Sequence, residues 1–284
     1  MEKQLSRGVL YLCATPIGNL KDMTQRVLET LNSVDIIAAE DTRNSIKLLN
    51  HFDIKVPLTS YHEYNKYDKA TELIEKMANG ANVALITDAG TPAISDPGEV
   101  LVDMCHKAGI QVTSLPGPCA LITALTLSGL SARRFCFEGF LPPDKKERSI
   151  VLSQLKDETR TMILYEAPHH LKATLAQLME TLGDREIALC RELTKKFEEV
   201  IRMPLPEAVK YYDTHEPKGE YVLVISGKSY EEIVKSEQED FLAMDINDHM
   251  AVYEKQGYEK KEAMKLVAKD RGITKREVYA QLLN

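Results

Sequence analysis

The chain has 284 residues, 44% of them hydrophobic and 28% charged, with a formal net charge of −7. That length accommodates two domains and a small appendage with ample core, while the acidic balance excludes a broad basic field for phosphates and leaves room only for a local patch. Five scattered cysteines (13, 105, 119, 136 and 190) include no CxxC pair, so they read as buried free thiols and indicate neither zinc nor disulfides.

The opening MEKQLSRGVLYL lacks the long apolar core of a secretory signal, so a cytoplasmic protein is expected. Val9 to Ala14 reads as a strand, and Asp22 as the cap of a helix carrying Val27, Leu28 and Leu31. Asp35 to Ala39 is a second strand, Ala70 to Met77 a helix, and Val83 to Thr87 a strand. Glu99 to Lys107 forms a helix ending at Gly109, and Val112 to Leu115 a strand closed by Pro116-Gly117-Pro118. This alternation predicts a largely parallel α/β sheet.

The apolar helix from Cys119 to Leu127, too short to span a bilayer, opens a second region. Arg133 to Phe140 reads as a strand leading into the polar loop PPDKKER, and Met162 to Tyr165 as another strand. Pro168 starts a helix with Leu171, Leu175, Leu178 and Leu182 on one face and Gly183 as its stop. Ile187 to Cys190 and Tyr221 to Ile225 are further strands. These elements place an N-terminal α/β domain at 1–117 and a second at 118–227. Residues 228–240 are charged and read as a linker to a helical unit at 241–284. There, EKKEAMKLVAKDRG is an amphipathic helix stopped by Gly272, and Thr274 with Glu277 forms a capping box for the next. This helix-turn-helix skeleton suits nucleic-acid contact and plain packing or dimerisation equally.

Four loops follow apolar strands and are rich in Gly, Pro or small polar residues: Thr15 to Asn19, Asp88 to Pro97, Pro116 to Cys119, and Glu166 to Pro168. Each alone reads as a turn; together, at the carboxyl ends of strands, they outline one ligand cleft. Neither GxGxxG after the first strand nor GxxxxGK[ST] occurs. The loops are almost without cations, which a phosphate would favour. Backbone groups, hydroxyls and carboxylates suit a neutral or cationic ligand, and S-adenosylmethionine, with its sulfonium and ammonium groups, fits that description.

Eight segments carry a resemblance: LCATPIGNLKDMT, AAEDTRNSIKLL, LITDAGTPAISDPG, SLPGPCALITAL, FEGFLP, YEAPHHL, CRELTKKFEE and GEYVLVISG. In this order they closely resemble the bacterial ribosomal RNA small-subunit methyltransferase I family, 2′-O-methyltransferases of the tetrapyrrole-methylase superfamily. The resemblance spans essentially the whole chain. It implies a two-domain tetrapyrrole-methylase-like α/β fold with a small C-terminal helical extension. It further implies S-adenosylmethionine in the cleft, a homodimer, and methylation of a cytidine ribose in the decoding region of 16S ribosomal RNA. The cofactor residues it implies are Pro16, Asp88, Ala89, Gly90, Thr91, Ile94, Cys119, Ala120, Tyr165, Glu166 and Leu193. Porphyrin methylases of the superfamily carry Asp where this chain has Thr91, and a Met near Glu166. These departures disfavour a tetrapyrrole substrate.

A ribose hydroxyl is a poor nucleophile and gains from a nearby base. Glu40 and Asp41, at the end of a strand, are the candidates, with Arg43 beside them for a phosphate; the alternative is that Asp41 caps the next helix and Glu40 pairs with Arg43. Further RNA contacts are expected from Arg133, Arg134, Lys145, Lys146 and Arg148, and also from Lys195-Lys196 and the tyrosines of SYHEYNKYDK. Each cluster alone also reads as an ordinary solvated face. His169-His170 belongs to a helix start and has no partner at metal-ligand spacing. Two other readings stay open: a methylase of a small tetrapyrrole or translation factor, and a non-catalytic RNA-binding factor in ribosome assembly.

Overall fold

A computed structural model describes residues 7–283, with side chains outside 234–240. One compact unit comprises the chain up to Lys156 together with Arg160–Ser226. The other comprises Asp157–Thr159 together with the chain from Gly227 on.

The first unit contains two five-stranded sheets. The first is built from β1 (Val9–Cys13), β2 (Ile36–Ala39), β3 (Leu58–Ser60), β4 (Val83–Ile86) and β5 (Gln111–Leu115). Its order is β3-β2-β4-β1-β5, and every pairing is parallel. The chain steps outward from β1 through β2 to β3, then back through β4 to β5. Because βαβ crossovers are right-handed, that reversal puts the helices on opposite faces. Helices α1 (Gln25–Ser33) and α2 (Thr42–His51) cover one face, packing Val27, Leu31 and Leu49 on Ile37, Ala39 and Ile86. Helices α3 (Lys66–Ala78) and α4 (Gly98–Lys107) cover the other, with Leu73, Met77 and Leu101 against Leu10, Leu12 and Leu85. Strands β1 and β4 are neighbours at the reversal, where open α/β sheets hold ligands beyond the strand ends.

After β5 come α5 (Ala120–Ser128), β6 (Phe135–Phe140), α6 (Lys145–Leu155), β7 (Thr161–Glu166), α7 (Pro168–Leu182), β8 (Glu186–Arg191), β9 (Glu199–Pro204), α8 (Leu205–Thr214) and β10 (Tyr221–Ile225). The second sheet has the order β6-β7-β10-β8-β9 and is mixed: β6 runs parallel to β7 and the other pairs are antiparallel. One face, with Ile163, Ala188, Cys190, Val222 and Val224, packs on Leu121 and Leu125 of α5. The opposite face, with Met162, Leu164, Leu189 and Leu223, lies beneath α6, α7 and α8.

The second unit contains α9 (Tyr230–Ala243), α10 (Ile246–Lys255), α11 (Lys260–Arg271) and α12 (Lys275–Gln281). Ile246, Met250, Met264, Val267 and Val278 form its core. The Gly272 stop has φ +63°, and the Thr274–Glu277 capping box is formed in both directions. His249 is fully buried, and its Nδ1 accepts from Arg271 Nε at 3.0 Å. Its Nε2 lies 3.4 Å from Asp270 Oδ2. Burial, reinforced by the Arg271 charge, pushes its pKa down.

Three local expectations differ from the structure. Thr24, not Asp22, caps α1, its side chain accepting from Val27 N, while Asp22 sits in a preceding 3-10 turn. PPDKKER is a loop only as far as Asp144, which accepts from the backbone N–H groups of Lys146 and Glu147 and starts α6 there. The charged stretch expected as a linker is helical from Tyr230, because its Glu-, Lys- and Gln-rich composition has good helix propensity without an obvious apolar stripe. Among the described residues no helix is long and apolar enough to cross a membrane.

Candidate active site

Four strand-end turns converge within the first unit around a cavity of about 590 Å³. That volume lies within the range of small-molecule sites, roughly 300–1,000 Å³. The turn after β1 meets the turn after β4 through a two-residue bridge: Thr15 N donates to Gly90 O (2.9 Å) and Gly90 N to Thr15 O (3.0 Å). Gly90 holds φ +86°, which disfavours an L side chain. A Cβ there would come within 3.2 Å of Ile17 Cγ2.

The polar residues of the β4 turn divide between architecture and cavity. Thr91 Oγ1 donates to Pro118 O at 2.9 Å, tying this turn to the one after β5. Asp96 accepts from the backbone N–H groups of Ala93, Ile94 and Gly98. That cage holds Ala93 and Ser95 at φ +66° and +62°, a conformation costing non-glycine residues about 1–2 kcal/mol each. Asp88 is exposed on the cavity wall and makes no hydrogen bond among the described residues.

Opposite stand the ends of β7 and β8. Tyr165 and Glu166 line the cavity, with Leu193 and Lys195 from the turn after β8. Burial pushes the Tyr165 phenol up to about 12, so at neutral pH it carries its proton. Glu166 is buried; its Oε1 accepts from Ala167 N at 2.8 Å and its Oε2 from Thr174 Oγ1. Arg148 Nη2 donates to that same Thr174 oxygen at 2.6 Å, and Arg148 Nε to Gln177 Oε1 at 2.6 Å. A guanidinium on α6 thus braces a carboxylate at the cavity wall through one hydroxyl. Lys195 hydrogen-bonds Glu192 and Glu220, at 2.9 Å each.

Of the expected cofactor residues, Asp88, Ala89, Gly90, Thr91, Ile94, Cys119, Ala120, Tyr165, Glu166 and Leu193 all line this cavity. Pro16 does not; its neighbour Ile17 takes that place. Glu40 lines the cavity and accepts from Thr87 Oγ1 at 2.8 Å, and it has no bond to Arg43. Asp41 instead caps α2 and pairs with Arg43 at 2.8 Å. The hydrogen bond from the Arg43 side chain, joined by one from its backbone, holds Asp41 down at about 2, too weak a base for a hydroxyl proton. Arg43 is itself exposed, its charge stabilised first by Asp41 and further by Asp88.

The remaining basic residues are not gathered here. Arg133 and Arg134 are exposed just before β6, roughly 20 Å along an extended strand from Phe140 at the cavity. Lys145 and Lys146 are exposed in the first turn of α6, and Arg148 is half-buried and engaged in the brace. Tyr61 is also not a surface ring: it is buried, and its hydroxyl donates to Pro97 O at 3.0 Å. Lys195, expected as an RNA contact, instead lines the cavity, and Phe140 and Glu220 line it without having been singled out. Only FEGFLP, a strand ending in Gly-Phe, pointed toward Phe140.

Among the described residues, the cavity wall carries Glu40, Asp88, Asp96, Glu166 and Glu220 against a single cation, Lys195, which two of the chain's carboxylates already neutralise. That donor set repels phosphates and favours a cation with an apolar body. S-adenosylmethionine fits it.

Comparison with known proteins agrees. The model of the tetrapyrrole (corrin/porphyrin) methylases matches residues 9–209, and the chain belongs to that family. It is accordingly an S-adenosylmethionine-dependent methyltransferase. A protein of Halalkalibacterium halodurans named ribosomal RNA small subunit methyltransferase I is 47% identical over 273 residues, 96% of this chain and 94% of that one. The Bacillus subtilis protein of the same name is 47% identical over 272 residues, 96% of this chain and 93% of its own. Among solved structures, a diphthine synthase covers 78% of this chain and 91% of its own at TM-score 0.60 and 16% identity, a likeness of fold alone.

Proposed function

We propose that this chain methylates ribosomal RNA of the small subunit, at the ribose 2′-hydroxyl of a cytidine in the decoding region of 16S RNA, acting as a cytoplasmic homodimer. The observation that carries the ribosomal RNA reading is identity of 47% across 96% of the chain to proteins named ribosomal RNA small subunit methyltransferase I. The cytidine 2′-hydroxyl and the homodimer rest on the motif resemblance. The lobes 1–117 and 118–227 would hold the cofactor between them, with Asp88, Gly90, Thr91, Tyr165, Glu166 and Leu193 as its walls. Bound there, S-adenosylmethionine supplies an electrophilic methyl group.

The chain's own part is positioning and charge. Asp88 and Glu166 offer negative charge to a cationic ligand, the second held rigid by Thr174 and Arg148. Tyr165 presents a protonated phenol. Glu40 is the acceptor for the hydroxyl proton: Thr87 occupies its Oε2, leaving Oε1 for substrate. Holding the reacting atoms roughly 3–3.5 Å apart supplies much of the rate in such displacements. Arg43, Lys145 and Lys146 are the proposed phosphate contacts, with Arg133 and Arg134 reaching RNA farther from the reacting centre.

The test is transfer of labelled methyl from S-adenosylmethionine to small ribosomal subunits lacking the modification, followed by nuclease digestion. Label recovered as 2′-O-methylcytidine supports the reading. Label on the base, on a subunit protein, or only on an added free tetrapyrrole would contradict it.

A further inference from the structure

Phe140 has no place in the account so far, yet its position is unusual. Alternation along β6 would set Cys136, residue 138 and Phe140 on one face, and Phe137 and Gly139 on the other. Cys136 pairs with Met162 and packs into the core beneath α6 and α7, so a regular strand would bury Phe140 there too. The register instead slips between Phe137 and Gly139: Phe137 pairs with Ile163, then Gly139 with Leu164 and Phe140 with Tyr165. Glu138 is the extra residue of a β-bulge.

The bulge moves Phe140 onto the face of Phe137, Ile163 and Tyr165, the face that reaches the cavity. Gly139 makes the turn possible with φ +62°, and a Cβ there would meet Ser95 Oγ at 3.2 Å. The Phe140 ring leans on Tyr165 edge-on, centroids 5.6 Å apart and planes at 63°. Tyr165 also meets Phe137 edge-on, with centroids 4.9 Å apart. Phe140 thus has a fixed aromatic support and is still 58% exposed at the cavity. A bulge that removes a phenylalanine from a waiting core and presents it to solvent beside a methyl-donor site needs a functional reason.

We infer that Phe140 is a stacking platform for a nucleobase of the RNA substrate, placing the target nucleotide at the mouth of the cofactor cavity. Aromatic rings accept any base by its π-face, and a planar ring supported from below is well suited to a base drawn out of its own stack. The inference rests on the RNA reading proposed above.

The experiment compares wild type with Phe140→Ala, Phe140→Leu and Phe140→Trp, measuring methyl transfer to unmodified small ribosomal subunits and, separately, calorimetric affinity for S-adenosylmethionine. Thermal melts confirm folding, which exposure of the ring favours. Loss of one base–aromatic stack corresponds to roughly 5- to 160-fold in kcat/KM. Ala and Leu should both show that loss with cofactor affinity within about twofold of wild type, and Trp should restore transfer. Full activity in Phe140→Leu, which keeps the apolar bulk but not the plane, would overturn the inference. So would a cofactor affinity that falls in step with kcat/KM, since the ring would then serve the donor. Wild type inactive on the subunits would instead overturn the RNA reading itself, so the two failures are distinct.

Discussion

The brace behind Glu166 gives the sharpest energetic prediction. Thr174→Val removes one hydroxyl at nearly constant volume from a fully buried position on α7. Glu166 Oε2 then has no donor, and Arg148 loses one of its two acceptors. A hydrogen bond to a charged group contributes about 1.5–3 kcal/mol, and a buried acceptor left without a partner keeps its full desolvation penalty. The expected loss is about 2–3 kcal/mol, or roughly 5–10 °C in Tm for a unit of this size. Arg148→Met should cost less, about 1 kcal/mol, because the half-buried guanidinium also reaches solvent. The two changes break one chain of contacts, so the double variant should fall short of additivity by about 0.5–1 kcal/mol. Urea unfolding of the four proteins, with Thr174→Ser as the conservative control, measures all of this. A Thr174→Val loss below about 0.5 kcal/mol, or strict additivity, would refute the brace.

Other consequences are as direct. Gly90→Val, with φ +86° and Ile17 3.2 Å from the new Cβ, should weaken S-adenosylmethionine binding at least tenfold in calorimetry while circular dichroism stays native. In the helical unit, Thr274→Ala breaks the capping box and should cost that unit about 1 kcal/mol in thermal unfolding. The same unit should be acid-sensitive. His249 has a folded pKa below its ordinary value, so the unfolded state binds the proton first. The unit's stability, complete above about pH 6.5, should fall as pH drops through that value toward the lower folded one. His249→Phe should flatten this dependence in a pH series of helical signal.

The parts of the fold that were legible share a physical cause. Apolar runs stopped by Gly and Pro, as at Val83 to Gly90, announce a strand and its turn because no other element tolerates that punctuation. Four such turns at strand ends together outline the cavity. What escaped depends on contacts remote in sequence. Arg148 belongs to a basic run like its neighbours, and only the approach of α6 to α7 shows that Thr174 and Gln177 occupy it. Asp41 and Glu40 are adjacent and look alike, but one faces its own helix and the other the cavity. Phe140 was hidden for a subtler reason: its face is set by a one-residue slip in pairing with β7, which composition does not encode.

The most direct measurement is a crystal structure of the chain with S-adenosylhomocysteine, the demethylated product of the donor. The account predicts density in the cavity walled by Asp88 to Ile94 on one side and Tyr165, Glu166 and Leu193 on the other. Product bound at any other surface, with those turns untouched, would contradict it.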